Sequence, residues 1–191
     1  MKGVWRLIGI LANPFSEWVR IEAEPGETVA LLIGTVAPLA LVPAIFGFVG
    51  ACIIGVIGPG RGEVRAPIFD GLVAAFFGYV ASFAVVLLLG LVIAVAAPLF
   101  GGRRNFARSL CLAVYSYAPV WLAGVFLLLP GLRFLMLLGF YGVYILLAGL
   151  PAMAKAPQQN LPGFAALIVV FACALTFIAW SAQSVLFAAA V

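Results

Sequence analysis

The sequence contains no histidine, and only 8% of its 191 residues carry charge, against about 25% in soluble domains. Without imidazole there is no histidine base and no histidine metal ligand. Three cysteines, Cys52, Cys111 and Cys173, are scattered and form no CxxC pair, so neither a disulfide framework nor a zinc site is indicated. A Gly-rich phosphate loop, paired carboxylates within an apolar run, and a nucleophile beside a base are all missing. These absences point away from an enzyme and from any metal or cofactor. What fills the space is hydrophobic: 66% of residues are apolar, and the mean hydropathy is +1.29. A soluble domain of this size leaves roughly a third of its chain surface in water, so the bilayer must be the solvent for most of the chain.

The charges divide the chain into blocks. Seven of them, Lys2, Arg6, Glu17, Arg20, Glu22, Glu24 and Glu27, precede residue 28. The rest leave five uncharged runs, 28–60, 71–102, 109–132, 134–154 and 156–191. Each reaches the ~20 residues that a helix needs to cross a bilayer. A charged side chain at mid-depth costs about 2.5–3.5 kcal/mol on insertion scales. The fold expected is therefore all-α and polytopic, with five transmembrane helices over 28–191 and an N-terminal amphipathic segment over 1–27. Pro38 and Pro43 should kink the first span. Gly101-Gly102 and Pro130-Gly131 should make tight turns between antiparallel neighbours. The fourth run is the shortest and is rich in Gly and Tyr.

Five crossings put the N-terminal segment and the 101–108 and 154–162 loops on one side. That side carries seven Lys and Arg against three, Arg61, Arg65 and Arg133, on the other. The bias places the N-terminus in the cytoplasm and the C-terminus across the membrane.

Residues 4–22 do not read as a signal peptide, since Asn13-Pro14 and Glu17 stand where a cleavage site should be. Asn13-Pro14 reads instead as the cap and first turn of a second short helix. Trp5, Leu7, Ile8, Leu11, Phe15, Trp18, Val19 and Ile21 form an apolar face, with Arg6, Glu17 and Arg20 on the polar side. The pair lies either in the cytoplasmic headgroup layer, tryptophans at headgroup depth, or against the mouth of the bundle.

Small residues recur at four-residue spacing, Gly47, Ala51 and Gly55 in one line and Ala74, Gly78 and Ser82 in another, which signals close helix packing. Tyr115 stands four residues before Pro119, and Tyr141 and Tyr144 share one helical face. Their hydroxyls can satisfy carbonyls freed by proline or form a polar seam toward a lipid or a partner. No ionisable group lies at mid-depth, which argues against a coupled pump or a voltage sensor. Asp70 suits the start of the second span. Arg103, Arg104 and Arg108 form the one dense basic patch. They fit anionic headgroups at about 1 kcal/mol each or the plain bias of inside loops. Basic residues at membrane boundaries make a poor nucleic-acid surface.

The order of motifs is informative: Asn13-Pro14 with Trp18 and Ile21, a proline-bearing first span, Phe100-Gly101-Gly102, Tyr115-Ser116-Tyr117-Ala118-Pro119, Leu138-Gly139-Phe140-Tyr141-Gly142-Val143-Tyr144, Gly149-Leu150-Pro151 and Lys155-Ala156-Pro157. Over about residues 4–157 this resembles the Yip1 family of five-span membrane proteins in its short bacterial form. The resemblance implies five helices and a cytoplasmic N-terminus. It singles out Pro14, Trp18, Tyr115, Pro119, Tyr141, Tyr144, Gly149 and Pro151 as motif residues. Eukaryotic members act in vesicle trafficking, bind prenylated Rab-type GTPases and associate with one another. Their Asp-Leu-Tyr-Gly-Pro signature and long N-terminal region are missing from this sequence, so Rab binding is not expected here. Two roles remain. One is a non-enzymatic scaffold in the bacterial inner membrane, contacting lipids and other membrane proteins or further copies of itself. The other is an uncoupled transporter, channel or lipid-handling protein, with Tyr115, Tyr141 and Tyr144 facing a headgroup whose phosphate sits on Arg103, Arg104 and Arg108.

Overall fold

The computed structural model describes residues 2–23, 28–58 and 62–188; the side chains of residues 2–5, 56–58, 62–64 and 185–188 are outside the description. Helices α1, Lys2–Ala12, and α2, Pro14–Ala23, are followed by five helical stretches. The stretches are Thr28–Ile54, Ile68–Phe100, Phe106–Leu128, Pro130–Ala154 and Gln158–Ser184, and all are long and apolar enough to cross a membrane. The protein is an all-α polytopic membrane protein. The third span is the most buried of the five and the fifth the least.

The first span departs from uniform α-helix. Its α segment, Ala37–Phe48, is flanked by π-helical turns at Leu32–Val36 and Val49–Ile54. Pro38 stands just past the first π turn and Pro43 lies inside the α segment, so each withholds an N–H from a continuous helical ladder. Gly55, at φ 97°, ends the span short of the expected residue 60. A small hairpin follows, pairing β1, Val56–Gly58, antiparallel with β2, Gly62–Val64. β-branched Val56 and Ile57 favour that extended conformation.

The remaining turns are tight. Gly101, in the left-handed region at φ 77°, closes the second span, and the Gly102 N–H donates back to the Ala97 carbonyl, the arrangement glycine permits most cheaply. Asn105 caps the third span, its Oδ1 accepting from the Arg108 N–H at 3.1 Å. Leu129 alone separates the third span from the fourth. The fourth opens with eleven residues of 3-10 helix, Pro130–Phe140, before the α segment Tyr141–Ala154. At ~2.0 and ~1.5 Å of rise per residue the two segments span about 43 Å. The tighter winding lengthens the run that was shortest between charges.

Two buried clusters hold the bundle together. One joins Ile10, Trp18 and Ile21 of the N-terminal helices to Leu112, Ile145 and Phe164 of the third, fourth and fifth spans. The other packs Val36 and Leu39 of the first span against Val86, Leu110, Val114 and Trp121. Third and fourth spans meet backbone to backbone at Gly142, where a Cβ would collide with the Ser116 carbonyl oxygen. Closest approach of the first span to the third falls at Gly50, against the Leu127 carbonyl, and not along the Gly47, Ala51, Gly55 line. The i→i+5 winding from Val49 displaces the four-residue spacing there.

Candidate functional site

The motif residues converge on the end of the bundle where α1 and α2 dock. On α2, Pro14, Trp18 and Ile21 follow each other at four and three residues, so they share one face, and all three are buried. Trp18, 1% exposed, lies edge-on to Tyr115 at 6.0 Å between ring centres, and its indole N–H donates to the Ile145 carbonyl at 3.1 Å. Gly149 makes room for it, because a Cβ there would stand 2.5 Å from Trp18 Cε2 and 2.6 Å from Leu112 Cδ1. The Tyr141 hydroxyl donates to the Leu11 carbonyl at 2.9 Å, near the end of α1. Tyr144 meets Phe15 edge-on at 6.1 Å. The Tyr115 hydroxyl faces the Arg6 and Thr35 side chains. The tyrosines thus receive the N-terminal helices at this end of the bundle. Pro119 lies inside the third span and is buried; Pro151, in the fourth, is exposed.

Charge completes the dock. Glu22 accepts from Lys155 in a short ion pair and stands 3.6 Å from the Arg108 guanidinium. The Lys155 hydrogen bond, with the Lys155 and Arg108 charges behind it, holds the Glu22 carboxyl below its ordinary value. Lys155 occupies the left-handed region, φ 56°, as the residue closing the fourth span. The basic patch is therefore split: Arg108 turns to Glu22, whereas Arg103 and Arg104 are exposed.

Two expectations about this segment change. Trp18 is packed into the buried cluster rather than exposed on the outer face of α2; Trp5 lies outside the described side chains. Glu17 is not on an outer polar face. It is buried beside Gly9, paired with Arg20 at 3.3 Å. The face of α2 turned away from the bundle carries Phe15 and Val19, 59% and 65% exposed, with Ile8 of α1 also half-exposed.

A second constellation lies toward the opposite end of the bundle. A cavity of about 410 Å³ is bordered by Gly47, Ala51, Gly78, Ser82, Trp121 and Arg133. Four residues of the two small-residue lines thus border open volume, while Gly78 also packs closely, a Cβ there standing 2.6 Å from Gln183 Nε2. A groove of about 400 Å³, lined by Leu89, Gly139, Val143, Ile168, Ala172 and Phe177 among others, adjoins it. The two share Tyr117, Val120, Met136, Thr176 and Trp180. The Thr176 hydroxyl donates to the Ala172 carbonyl at 2.7 Å, which leaves the Tyr117 hydroxyl to donate to Thr176 Oγ1 at 3.1 Å. Gln183 donates to the Ala74 carbonyl at 2.9 Å. Sequence reasoning gave Arg133 only a topological role and passed over Trp121. What marks these residues is a lone arginine and a buried indole on either side of the same turn.

A family model, the Yip1 domain, matches residues 8–181, nearly the whole chain and most of the fifth span. The chain belongs to the Yip1 family. No curated protein and no solved structure is found to match it. For a Yip1 member, the geometry gives physical roles to the sequence motifs: Asn13-Pro14 and Trp18 begin and anchor α2, Gly149 seats the indole, and Tyr115, Tyr141 and Tyr144 hold the helix pair.

Proposed function

We propose that this Yip1-family protein organises the membrane without catalysis, using its N-terminal helix pair as a fixed wedge in the cytoplasmic leaflet. The observation that carries this is the two-sidedness of α1 and α2. Trp18, Ile21 and Ile10 anchor them to the bundle, while Ile8, Phe15 and Val19 remain exposed on the other side. An amphipathic helix lies with its apolar face about 5–10 Å into the headgroup boundary. One clamped to five spans expands a single leaflet wherever the protein gathers. Arg103 and Arg104, exposed at the same end, attract anionic headgroups beside it at about 1 kcal/mol each. The seven-to-three bias of Lys and Arg supports placing this end in the cytoplasm.

The test is reconstitution at rising protein density, with vesicle diameter read by electron cryomicroscopy. Wild type narrows or tubulates vesicles. The variant Ile8→Glu, Phe15→Glu, Val19→Glu, which leaves the docking face intact, does not. Vesicles unchanged by wild type, or remodelled equally by the variant, reject the reading. The adjoining cavities favour a second role, in lipid handling.

A further inference from the structure

The two cavities border the membrane-facing surface and hold unsatisfied polar chemistry. Among the described residues only two buried side-chain polar atoms lack a hydrogen-bond partner, Trp121 Nε1 and Ser116 Oγ. Each lines one of the two cavities. Trp121 is 1% exposed and Ser116 8%. An unpaired buried donor costs about 1–3 kcal/mol, so both are donors that a bound acceptor would satisfy. Arg133 borders the same cavity, is exposed, and forms no ion pair with a described acid, Asp70 included. The other polar groups there are already engaged: Ser82 with the Gly78 carbonyl, Gln183 with the Ala74 carbonyl, Ser184 with the Ser181 carbonyl. The adjoining groove is almost wholly apolar and ends at exposed Phe140, Phe177 and Trp180. Both volumes fall in the ~300–1,000 Å³ range of small-ligand sites.

We infer that the joined cavities hold one phospholipid. Its phosphate sits on Arg133, its ester carbonyls accept from the Trp121 indole and the Ser116 hydroxyl, and an acyl chain lies along the groove between the third, fourth and fifth spans. Among the described residues, one phosphate and two ester carbonyls match a cation with no acid partner and two donors with no acceptor. Guanidinium is suited to phosphate because its planar fork presents paired N–H donors. The site lies away from the N-terminal dock, toward the other end of the bundle from Arg103, Arg104 and Arg108. It does not depend on the wedge proposed above.

The experiment is native mass spectrometry of the full chain in mild detergent, titrated with dioleoyl-phosphatidylglycerol or with dioleoylglycerol, which has the esters but no phosphate. Wild type should retain one phosphatidylglycerol under conditions that strip all others. Arg133→Gln should weaken that binding about tenfold, the loss of one charged hydrogen-bonded contact. Trp121→Phe should weaken it several-fold, and Val143→Trp, which fills the groove, should abolish it. Arg65→Gln, an exposed arginine elsewhere, should leave it unchanged. Dioleoylglycerol should bind wild type no better than phosphatidylglycerol binds Arg133→Gln. The inference is overturned if wild type retains no lipid, if Arg133→Gln retains as much as wild type, or if Arg65→Gln loses as much. Equal retention of the two lipids, or retention by a folded Val143→Trp variant, overturns it as well.

Discussion

At the scale of the residue, the N-terminal dock rests on one large side chain and the absence of another. Trp18 fills the space that Gly149 leaves open and gives its N–H to the Ile145 carbonyl. Trp18→Ala should weaken docking by about 3–5 kcal/mol, as large-to-small changes at buried aromatics do. Gly149→Ala should weaken it by about 1–3 kcal/mol through overpacking. Loss of amide protection in α2, read by hydrogen exchange while the spans stay protected, checks both. Glu22 adds a pH dependence of definite sign. Its carboxyl is held below the ordinary value of 4.5, so the ionised form stabilises the dock above that value. The contribution is lost as pH falls below 4.5 through the lowered value. Protection of α2 should decline over that acid window in wild type and stay flat in Glu22→Gln.

At the scale of the element, sequence and structure agree where one physical signal dominates. The uncharged runs marked five spans because hydrocarbon penalises charge at any register, and Gly101-Gly102 marked a turn because glycine takes the left-handed conformation cheaply. The signals that failed were those depending on a partner. Trp18 and Glu17 sit on the same short helix, and only the positions of the fourth span and of α1 bury them both. The tyrosines and Trp18 were visible as motif residues, but the acceptors of Tyr141 and Trp18, the Leu11 and Ile145 carbonyls, are backbone atoms that no pattern exposes. π-helical turns in the first span and 3-10 winding in the fourth leave no periodic trace in wholly apolar sequence. Caps do leave one: Asn105 before the third span accepts from the Arg108 N–H. Asn105→Ala should cost about 1 kcal/mol, measured as a lowered thermal midpoint in detergent.

At the scale of the whole molecule, the ends of the bundle differ in kind. One is filled by docked helices and ion pairs, whereas the other borders open volume. Glu22, Arg108 and Lys155 gather at the first, and Gln183 meets Ala74 at the second, as an odd number of crossings requires. Single-cysteine variants Arg104→Cys and Arg65→Cys should therefore react with a membrane-impermeant maleimide from opposite faces, the first from the cytoplasm. Labelling of both from one face would contradict the topology.

The partners of the dock are far apart along the chain: Trp18 bonds a carbonyl 127 residues later, and Glu22 meets a lysine 133 residues later. A ribosome makes the two short helices well before their seat. Until Gly149 and Lys155 have emerged, the nascent α2 has nowhere to put its indole. Clamping of that segment must therefore follow synthesis of the fourth span, so the N-terminal pair is fastened to a bundle whose earlier walls already exist.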